Sequence, residues 1–454
     1  MKYLLSLFLL FTLVTSNLSM ASDKPKIRSL EVQLGTDGRL AWGFHQLMED
    51  KYGFGLRYPG YIIGIEKAVR RKIGVVRASK IDAKIKIRSI STLEKLHLVN
   101  WLNDPKRTFI SHIVKYDIRN KNSQYRLAHI KPTRIYSVYH ELAQNNFKVE
   151  NSYDRSWKEV KALYPQLKIQ IEKEKYTHIF LLSMGWNTDQ QEAIRNFNSL
   201  MGRLLDIAYK NKNIKFKPLI IGFTWPSKWY LPVVSIINKA NDADEIGVVW
   251  MNLLLHRVVL PLKKETGIKV VLIGHSLGAR ALTRAIFSEK FLPGATNNNL
   301  PKSDLVIGLQ GAFSLYRFVK GKGVEGFPYV NYPAYASKFV MTWSRHDFAT
   351  PVLKYLANTN LIGGVWGYRI VQRRRYFDIF NTLKVMGTGE IKLPKANKHK
   401  ILYLDASDII KYKRYKKYGN AHSDIYTPQF NRLLWSLIYH YTILKSVPAN
   451  MSAL

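Results

Sequence analysis

Residues 270–282 read Val-Val-Leu-Ile-Gly-His-Ser-Leu-Gly-Ala-Arg-Ala-Leu, and the fold prediction starts from this stretch. The aliphatic run before the first glycine predicts a buried strand, and the residues after Ser276 predict a helix. Ser276 lies in the pattern Gly-x-Ser-x-Gly, whose small residues allow a sharp strand-to-helix turn. The turn presents the serine Oγ at a helix N-terminus, where partial positive charge favours an oxyanion. We therefore expect Ser276 to be a nucleophile above a sheet.

From about residue 150 onwards, apolar runs alternate with amphipathic segments on both sides of this stretch. Thr188 is predicted to open a helix, with Gln191 completing a capping box, and Asn241 or Asp242 to cap a long one. The alternation predicts an α/β fold with a doubly wound, mostly parallel sheet, whose ligands bind beyond the carboxyl ends of the strands. Strands are predicted at 177–184, 218–224, 269–274, 305–310, 339–342 and 401–404, and two further helices at 277–288 and 428–444.

The preceding region, 22–150, is predicted to be a mixed, β-rich extension, and no chemistry can be assigned to it. Alternating apolar residues predict strands at 81–87, around 114–118 and at 135–139. The stretch 52–64 is rich in glycine and aromatic residues and predicts loops and turns. The domains expected are thus a leader at 1–21, this extension, and the α/β domain at 151–454.

A nucleophilic serine needs a base, and the base needs an orienting acid. Asp347 follows the predicted strand 339–342, and His422 precedes the last predicted helix. Both positions fall at the carboxyl edge of the sheet, in the chain order serine, acid, histidine that this fold uses. Asp347 and His422 are therefore the expected acid and base, with Asp378 and Asp405 as alternative acids.

Two other histidines lie in the same neighbourhood, but neither suits the role of base. His275 is fixed inside the elbow, and His346 occupies the loop of the acid. The oxyanion needs two backbone donors, which we assign to the N–H groups of Leu277 and Trp186. Trp186 follows a glycine that permits close backbone approach, although its neighbours Asn187 and Thr188 would also fit a plain helix cap.

Five short motifs together resemble one branch of the α/β-hydrolase superfamily, a bacterial group of largely unassigned substrate. The resemblance covers about residues 175–445 and implies a Ser-Asp-His triad with esterase-type chemistry, but no defined substrate. One position departs from the pattern, because Met184 stands where the family has a histidine before the glycine. The motifs are Gly185-Trp186-Asn187-Thr188, Phe223-Thr224-Trp225-Pro226-Ser227, Gly274-His275-Ser276-Leu277-Gly278, Ser344-Arg345-His346-Asp347 and His422-Ser423-Asp424-Ile425-Tyr426.

The N-terminus predicts an exported protein, periplasmic or secreted. Lys2 precedes an apolar run at 3–14, and Ser19-Met20-Ala21 places small residues where a signal peptidase reads them. Cleavage would leave Ser22 first, and the alternative is an uncleaved membrane tether. The chain has no cysteine, which excludes disulfides, a cysteine nucleophile and cysteine-based zinc sites.

The charge is strongly positive, with 70 Lys and Arg against 32 Asp and Glu, or +38. Such a field favours an anionic membrane or lipopolysaccharide surface, although a diffusely basic, solvated surface fits equally well. No nucleic-acid module accompanies the charge, so binding to nucleic acid is not expected.

Together these features predict a serine hydrolase that cleaves ester bonds of a small molecule or lipid, without cofactor or metal. The alternative is a non-catalytic envelope-associated binding protein that keeps the fold and engages anionic surfaces. Long segments at about 312–336 and 348–398 are predicted to be lid-like insertions, and 361–366 either lines an acyl pocket or belongs to the core of an insertion. The oligomeric state cannot be predicted.

Overall fold

The computed structural model describes the greater part of the chain from residue 55 to residue 444. The predicted leader and the predicted strand 81–87 lie outside the described residues. The described ranges are 55–67, 108–118, 130–137, 152–210, 214–227, 239–240, 242–289, 292, 300–319, 337–347, 349, 361–394, 401–411 and 421–444.

A single ten-stranded sheet forms the centre of the protein. Its spatial order is β3-β2-β1-β5-β4-β6-β7-β8-β10-β9. All neighbours from β1 to β9 in this order pair in parallel, whereas β2 pairs antiparallel with both β1 and β3. The predicted α/β class with a mixed N-terminal extension is therefore confirmed, and the extension continues the same sheet. The strands are β1 (Gly60–Lys67), β2 (Thr108–Ile118), β3 (Ile130–Ser137), β4 (His178–Ser183), β5 (Pro218–Thr224), β6 (Lys269–His275), β7 (Leu305–Leu309), β8 (Phe339–Trp343), β9 (Phe380–Lys384) and β10 (Ile401–Asp405).

Strand β1 corrects the prediction of loops and turns at 52–64. Its glycines allow close packing in the sheet rather than a turn. A Cβ at Gly60 would lie 2.1 Å from the Ile220 carbonyl oxygen, and one at Gly64 would lie 2.0 Å from the His112 ring. The glycines of this stretch are therefore explained by close packing between strands and not by turns.

Helices cover both faces of the sheet and bury two apolar layers, as the alternation of strands and helices predicts. One layer packs under α1, α3 and α4, and the other under α2 and α6. Helix α3 contains two π-helical stretches, at Gly247–Met251 and Leu255–Val259. Its length and composition alone would let it cross a membrane, but 89% of its most apolar window is buried inside the protein. The helices are α1 (Ser152–Glu174), α2 (Gln190–Ala208), α3 (Asp242–Thr266), α4 (Leu277–Phe287), α5 (Val365–Arg373) and α6 (Pro428–Ile438), which continues as a π-helical turn, Tyr439–Ile443.

The start of α2 differs from the predicted capping box. Asp189 is the N-cap, and its side chain accepts a hydrogen bond from the Glu192 N–H. Thr188 instead donates its N–H to Ser227 Oγ, 3.1 Å away. The capping box of Thr188 and Gln191 is therefore wrong by one residue, because Thr188 belongs to the loop that Ser227 holds.

The segment 348–398 is only in part an insertion. It contains α5 and the edge strand β9, which pairs in parallel with β10. Its residues Leu361 and Ile362 are buried in the main hydrophobic core rather than in a separate core of an insertion. Strand β9 escaped prediction because it is short and polar on its edge, which removes the apolar run that marks an interior strand.

Candidate active site

The chain turns sharply at Ser276, between the end of β6 and the start of α4. Ser276 has φ 55° and ψ −120°, a backbone conformation that non-glycine residues rarely adopt. The glycines of the motif make the turn possible. A Cβ at Gly274 would lie 2.5 Å from the Ala279 nitrogen, and one at Gly278 would lie 2.2 Å from the Ser183 carbonyl oxygen. The predicted strand-turn-helix geometry is therefore present, with the serine at its apex.

Asp347 and His422 meet at the carboxyl edge of the sheet. Asp347 follows β8, His422 lies in a short 3-10 helix before α6, and Asp347 Oδ2 is 2.7 Å from His422 Nδ1. Asp347 is buried, whereas the His422 side chain keeps 14% of its surface exposed. A carboxylate can only accept, so Nδ1 carries the hydrogen, and in the neutral ring Nε2 is left as a proton acceptor. This arrangement has the chemistry of a general base with its orienting acid.

His275 connects this pair to the elbow. Its Nε2 donates to the His422 carbonyl oxygen at 2.9 Å, and the two rings lie 4.8 Å apart between centroids. Burial, with a smaller effect from the neighbouring His422, lowers the pKa of His275 to about 3. His275 is therefore neutral, and it holds the loop of His422 against the residue that precedes Ser276.

The alternative acids do not meet His422 in the same way. Asp405 accepts hydrogen bonds from the side chain and backbone of Ser407. Asp378 is exposed and precedes β9, which places it near the opposite edge of the sheet. His346 lies beside the acid, and its backbone carbonyl accepts from the Ala421 N–H at 3.4 Å.

The loop after β4 packs directly against the serine. A Cβ at Gly185 would lie 2.6 Å from Ser276 Cβ and 3.1 Å from its Oγ, so only glycine fits there. Trp186 is the next residue along this loop. Leu277 is the first residue of α4, and N–H groups in a first helical turn have no intrahelical acceptor. Both backbone positions predicted for the oxyanion donors thus lie beside the elbow.

The Trp-Pro-Ser segment after β5 braces this loop. Trp225 Nε1 donates to the Met184 carbonyl oxygen at 3.0 Å, and the Asn187 N–H donates to the Ser227 carbonyl oxygen at 3.0 Å. Asn187 itself has φ 59°. The bracing role of this motif could not be predicted from the sequence, because no periodic pattern links residues about 40 positions apart.

Met184, the departure from the family pattern, is buried and contacts the histidine side of the site. Its sulfur accepts from the Tyr426 hydroxyl at 3.7 Å. Tyr426 follows His422 by four residues, so a side-chain contact joins the loop after β4 to the segment that carries the base. The described residues contain no group of three or more His, Asp or Glu side chains suited to hold a metal ion.

Comparisons with known proteins add little to this geometry. No family model and no curated protein matches the chain. Among solved structures, TT1662 from Thermus thermophilus is similar at 15% identity and a TM-score of 0.30, covering 59% of this chain and 90% of that one. The product of the lin2722 gene of Listeria innocua is similar at 12% identity and the same TM-score, covering 61% of this chain and 96% of that one. Likeness at this level carries no argument about activity.

Proposed function

We propose that the protein is a serine hydrolase that cleaves ester bonds with Ser276, Asp347 and His422. The observation that carries the proposal is the 2.7 Å contact between Asp347 and His422, held beside the strained elbow by His275. A buried carboxylate on a partly exposed imidazole, next to a serine at a helix N-terminus, is the arrangement that activates a hydroxyl nucleophile.

In the proposed reaction, His422 Nε2 takes the Ser276 Oγ proton as Oγ attacks the ester carbonyl carbon. The N–H groups of Trp186 and Leu277 stabilise the oxyanion, and Asp347 stabilises the imidazolium. His422 then returns the proton to the leaving alcohol as the carbon–oxygen bond breaks. Water, deprotonated by His422, then attacks the acyl carbon. The bond from that carbon to Ser276 Oγ breaks, and His422 returns the proton to Oγ, which releases the acid and free Ser276.

Labelling with a fluorophosphonate probe tests the nucleophile. The full chain is expected to label, and Ser276→Ala to lose labelling completely, because the probe reacts only with an activated serine hydroxyl. Ser137→Ala is a matched control, since Ser137 is also buried but ends β3 on the far side of the sheet. Full labelling of Ser276→Ala would exclude Ser276 as the nucleophile, and no labelling of the wild type would favour a non-catalytic binding protein.

The exported location and the anionic surface partner are further parts of the proposal. The net charge of +38 supports the partner, and Arg373, Arg374 and Arg375 form an exposed basic stretch at the end of α5. We expect the protein to sediment with vesicles that contain anionic lipid and to be released by salt. Equal sedimentation with neutral and anionic vesicles at moderate salt would contradict this partner.

A further inference from the structure

Two buried polar side chains at the carboxyl ends of β7 and β8 have side-chain atoms with no hydrogen-bond partner among the described residues. Gln310 directly follows β7, is fully buried, and leaves both amide atoms, Oε1 and Nε2, without a partner. Trp343 ends β8, is 4% exposed, and leaves its indole Nε1–H without a partner. Such a group destabilises the folded protein when it is buried away from water without a partner. Groups of this kind in a native protein need an explanation.

The backbone of Gln310 is held in a strained conformation beside the nucleophile. Its φ is 40°, in the left-handed region that a glutamine rarely adopts. Its neighbours bond to Ser276 on both sides, since Leu309 O accepts from the Ser276 N–H at 2.9 Å and the Ala312 N–H donates to Ser276 O at 3.1 Å. Strain that the surrounding structure enforces is concentrated at functional sites. Gln310 is thus fixed by the same hydrogen bonds that fix the elbow.

Gln310 and Trp343 belong to adjacent strands and border one short segment. Strands β7 and β8 pair up to Gly308 and Met341, and the Gln310 N–H donates to Thr342 Oγ1 at 3.1 Å, so Gln310 lies beside the residue that precedes Trp343. A Cβ at Gly363 would lie 2.3 Å from the Gln310 carbonyl carbon, and the Gly363 carbonyl oxygen accepts from the Ser344 N–H at 3.4 Å. The segment at Gly363 therefore packs against the Gln310 backbone and bonds to Ser344, the residue after Trp343, at the carboxyl edge, where ligands of parallel sheets bind.

The three unpaired atoms define the chemistry of a ligand group. Gln310 offers an acceptor and donors, and Trp343 offers a donor, all uncharged. A hydrocarbon group would leave all three unpaired, and a carboxylate would face Oε1 without a hydrogen to donate. An amide or a hydroxyl group can both donate to Oε1 and accept from an N–H.

We propose that Gln310 and Trp343 form a polar subsite beside Ser276 that binds an uncharged amide or hydroxyl group of the ester substrate. The subsite rests on the proposed function of Ser276 and assigns it a substrate class, an ester that carries a second hydrogen-bonding group, rather than a plain hydrocarbon ester.

Matched pairs of esters test the subsite. In each pair an amide or a hydroxyl replaces a methylene group, once in the acyl chain and once in the alcohol, and kcat/KM is measured for the wild type and for Gln310→Met. Wild type is expected to prefer the polar member of at least one pair by about tenfold or more, because a site built to hydrogen-bond rejects an analogue that lacks the group. Gln310→Met has a similar shape without the amide and is expected to reduce this preference to about one.

Two further variants keep the test decisive. Trp343→Phe removes one donor and should lower the preference by about fivefold, the effect of a single hydrogen bond. Thr224→Val is the control. Thr224 ends β5, and its buried hydroxyl also has no partner among the described residues. It lies on the same face of the sheet as Ile220, in the apolar layer that does not contain Trp343. Its preference should equal that of the wild type.

The outcomes separate the subsite from the nucleophile. Fluorophosphonate labelling of the wild type reports Ser276, whereas the ratio of kcat/KM within an ester pair reports the subsite whatever the absolute rate of the variant. A lost preference in Gln310→Met therefore supports the subsite. An unchanged preference in Gln310→Met and Trp343→Phe would overturn it and leave solvent as the partner of these atoms. If one variant fails to fold, the other decides. Absence of labelling in the wild type would instead count against the nucleophile.

Discussion

Two buried aspartates, Asp244 and Asp347, have different partners. Asp244, on α3, accepts hydrogen bonds from Arg280, Arg284 and Arg317, whereas Asp347 accepts from His422. Both carboxylates are 1% exposed. Arginine stays charged at all ordinary pH values, whereas an imidazole nitrogen can accept a proton and return it. The first cluster therefore fixes packing, and the second is suited to transfer a proton.

Removal of the charge of Asp347 should produce the largest effect on activity. Asp347→Asn keeps the shape but favours the wrong tautomer of His422, which costs about 10⁴-fold in kcat in a Ser-His-Asp triad. The kcat for a p-nitrophenyl ester and the melting temperature should be measured together. Activity within tenfold of the wild type would remove Asp347 from the triad and return Asp405 to consideration.

The same substitution at Asp244 should act on stability instead. Asp244→Asn leaves three buried or largely buried guanidinium groups without their carboxylate, and the loss of one partner of a buried pair costs about 3–5 kcal/mol. Urea unfolding measures this change in the free energy of unfolding. Asp206→Asn, on the exposed face of α2, is the control and should change it by no more than about 0.5 kcal/mol. A small effect at Asp244 would contradict a purely structural role for the cluster.

The contrast between the two aspartates also marks how far the sequence leads. The contact between Asp347 and His422 could be predicted, because the chain order of a proposed triad and the edge of a parallel sheet restrict where an acid and a base can lie. The Asp244 cluster could not, since it joins α3, α4 and the segment at Arg317 through contacts that leave no local pattern. Strands with apolar cores were predicted within about two residues, because their burial on both faces produces continuous apolar runs.

The parts that escaped prediction follow the same physical rule. Strand β1 was missed because its glycines serve close packing with Ile220 and His112, which only the folded neighbours reveal. The unpaired amide of Gln310 and the lock formed by His275 are likewise tertiary features. The sequence shows that a histidine precedes Ser276, but it does not show that His275 bonds to the carbonyl oxygen of His422, 147 residues away.

The free energy of unfolding should depend on pH through His275, which packs against His422, whereas the arginine cluster at Asp244 adds no histidine to this dependence. Burial lowers the pKa of His275 from 6.5 to about 3, so the folded state holds the neutral ring. Unfolding at lower pH takes up a proton there, so this stability is complete above pH 6.5 and is lost as the pH falls towards 3. Between pH 7 and pH 5, His275→Gln should lose about 2 kcal/mol less unfolding free energy than the wild type.

His112 supplies the control for this measurement, because burial also lowers its pKa to about 3 at a site far from the elbow. His112→Gln should flatten the pH dependence to a similar extent without slowing fluorophosphonate labelling. If His275→Gln has the wild-type pH dependence, then folding does not lower the pKa of His275, and its ring is protonated below about pH 6.5 in the folded protein. In that case it is a charged neighbour of His422 rather than a neutral lock.

The smallest expected effect concerns the hydrogen bonds that brace the loop after β4. This brace supports the fold, as the Asp244 cluster does, but it also touches the candidate site, as the Asp347–His422 pair does. Trp225→Phe removes the hydrogen bond from Nε1 to the Met184 carbonyl oxygen while keeping most of the aromatic packing. A neutral hydrogen bond contributes about 1 kcal/mol, and the carbonyl that loses its donor is next to Gly185. We therefore expect about a fivefold to tenfold loss in kcat/KM with a change of about 1 kcal/mol in stability. A loop that positions an oxyanion donor cannot shift without slowing the attack of Ser276. The same loss of about 1 kcal/mol in stability with an unchanged kcat/KM would therefore mean that the brace supports only the fold.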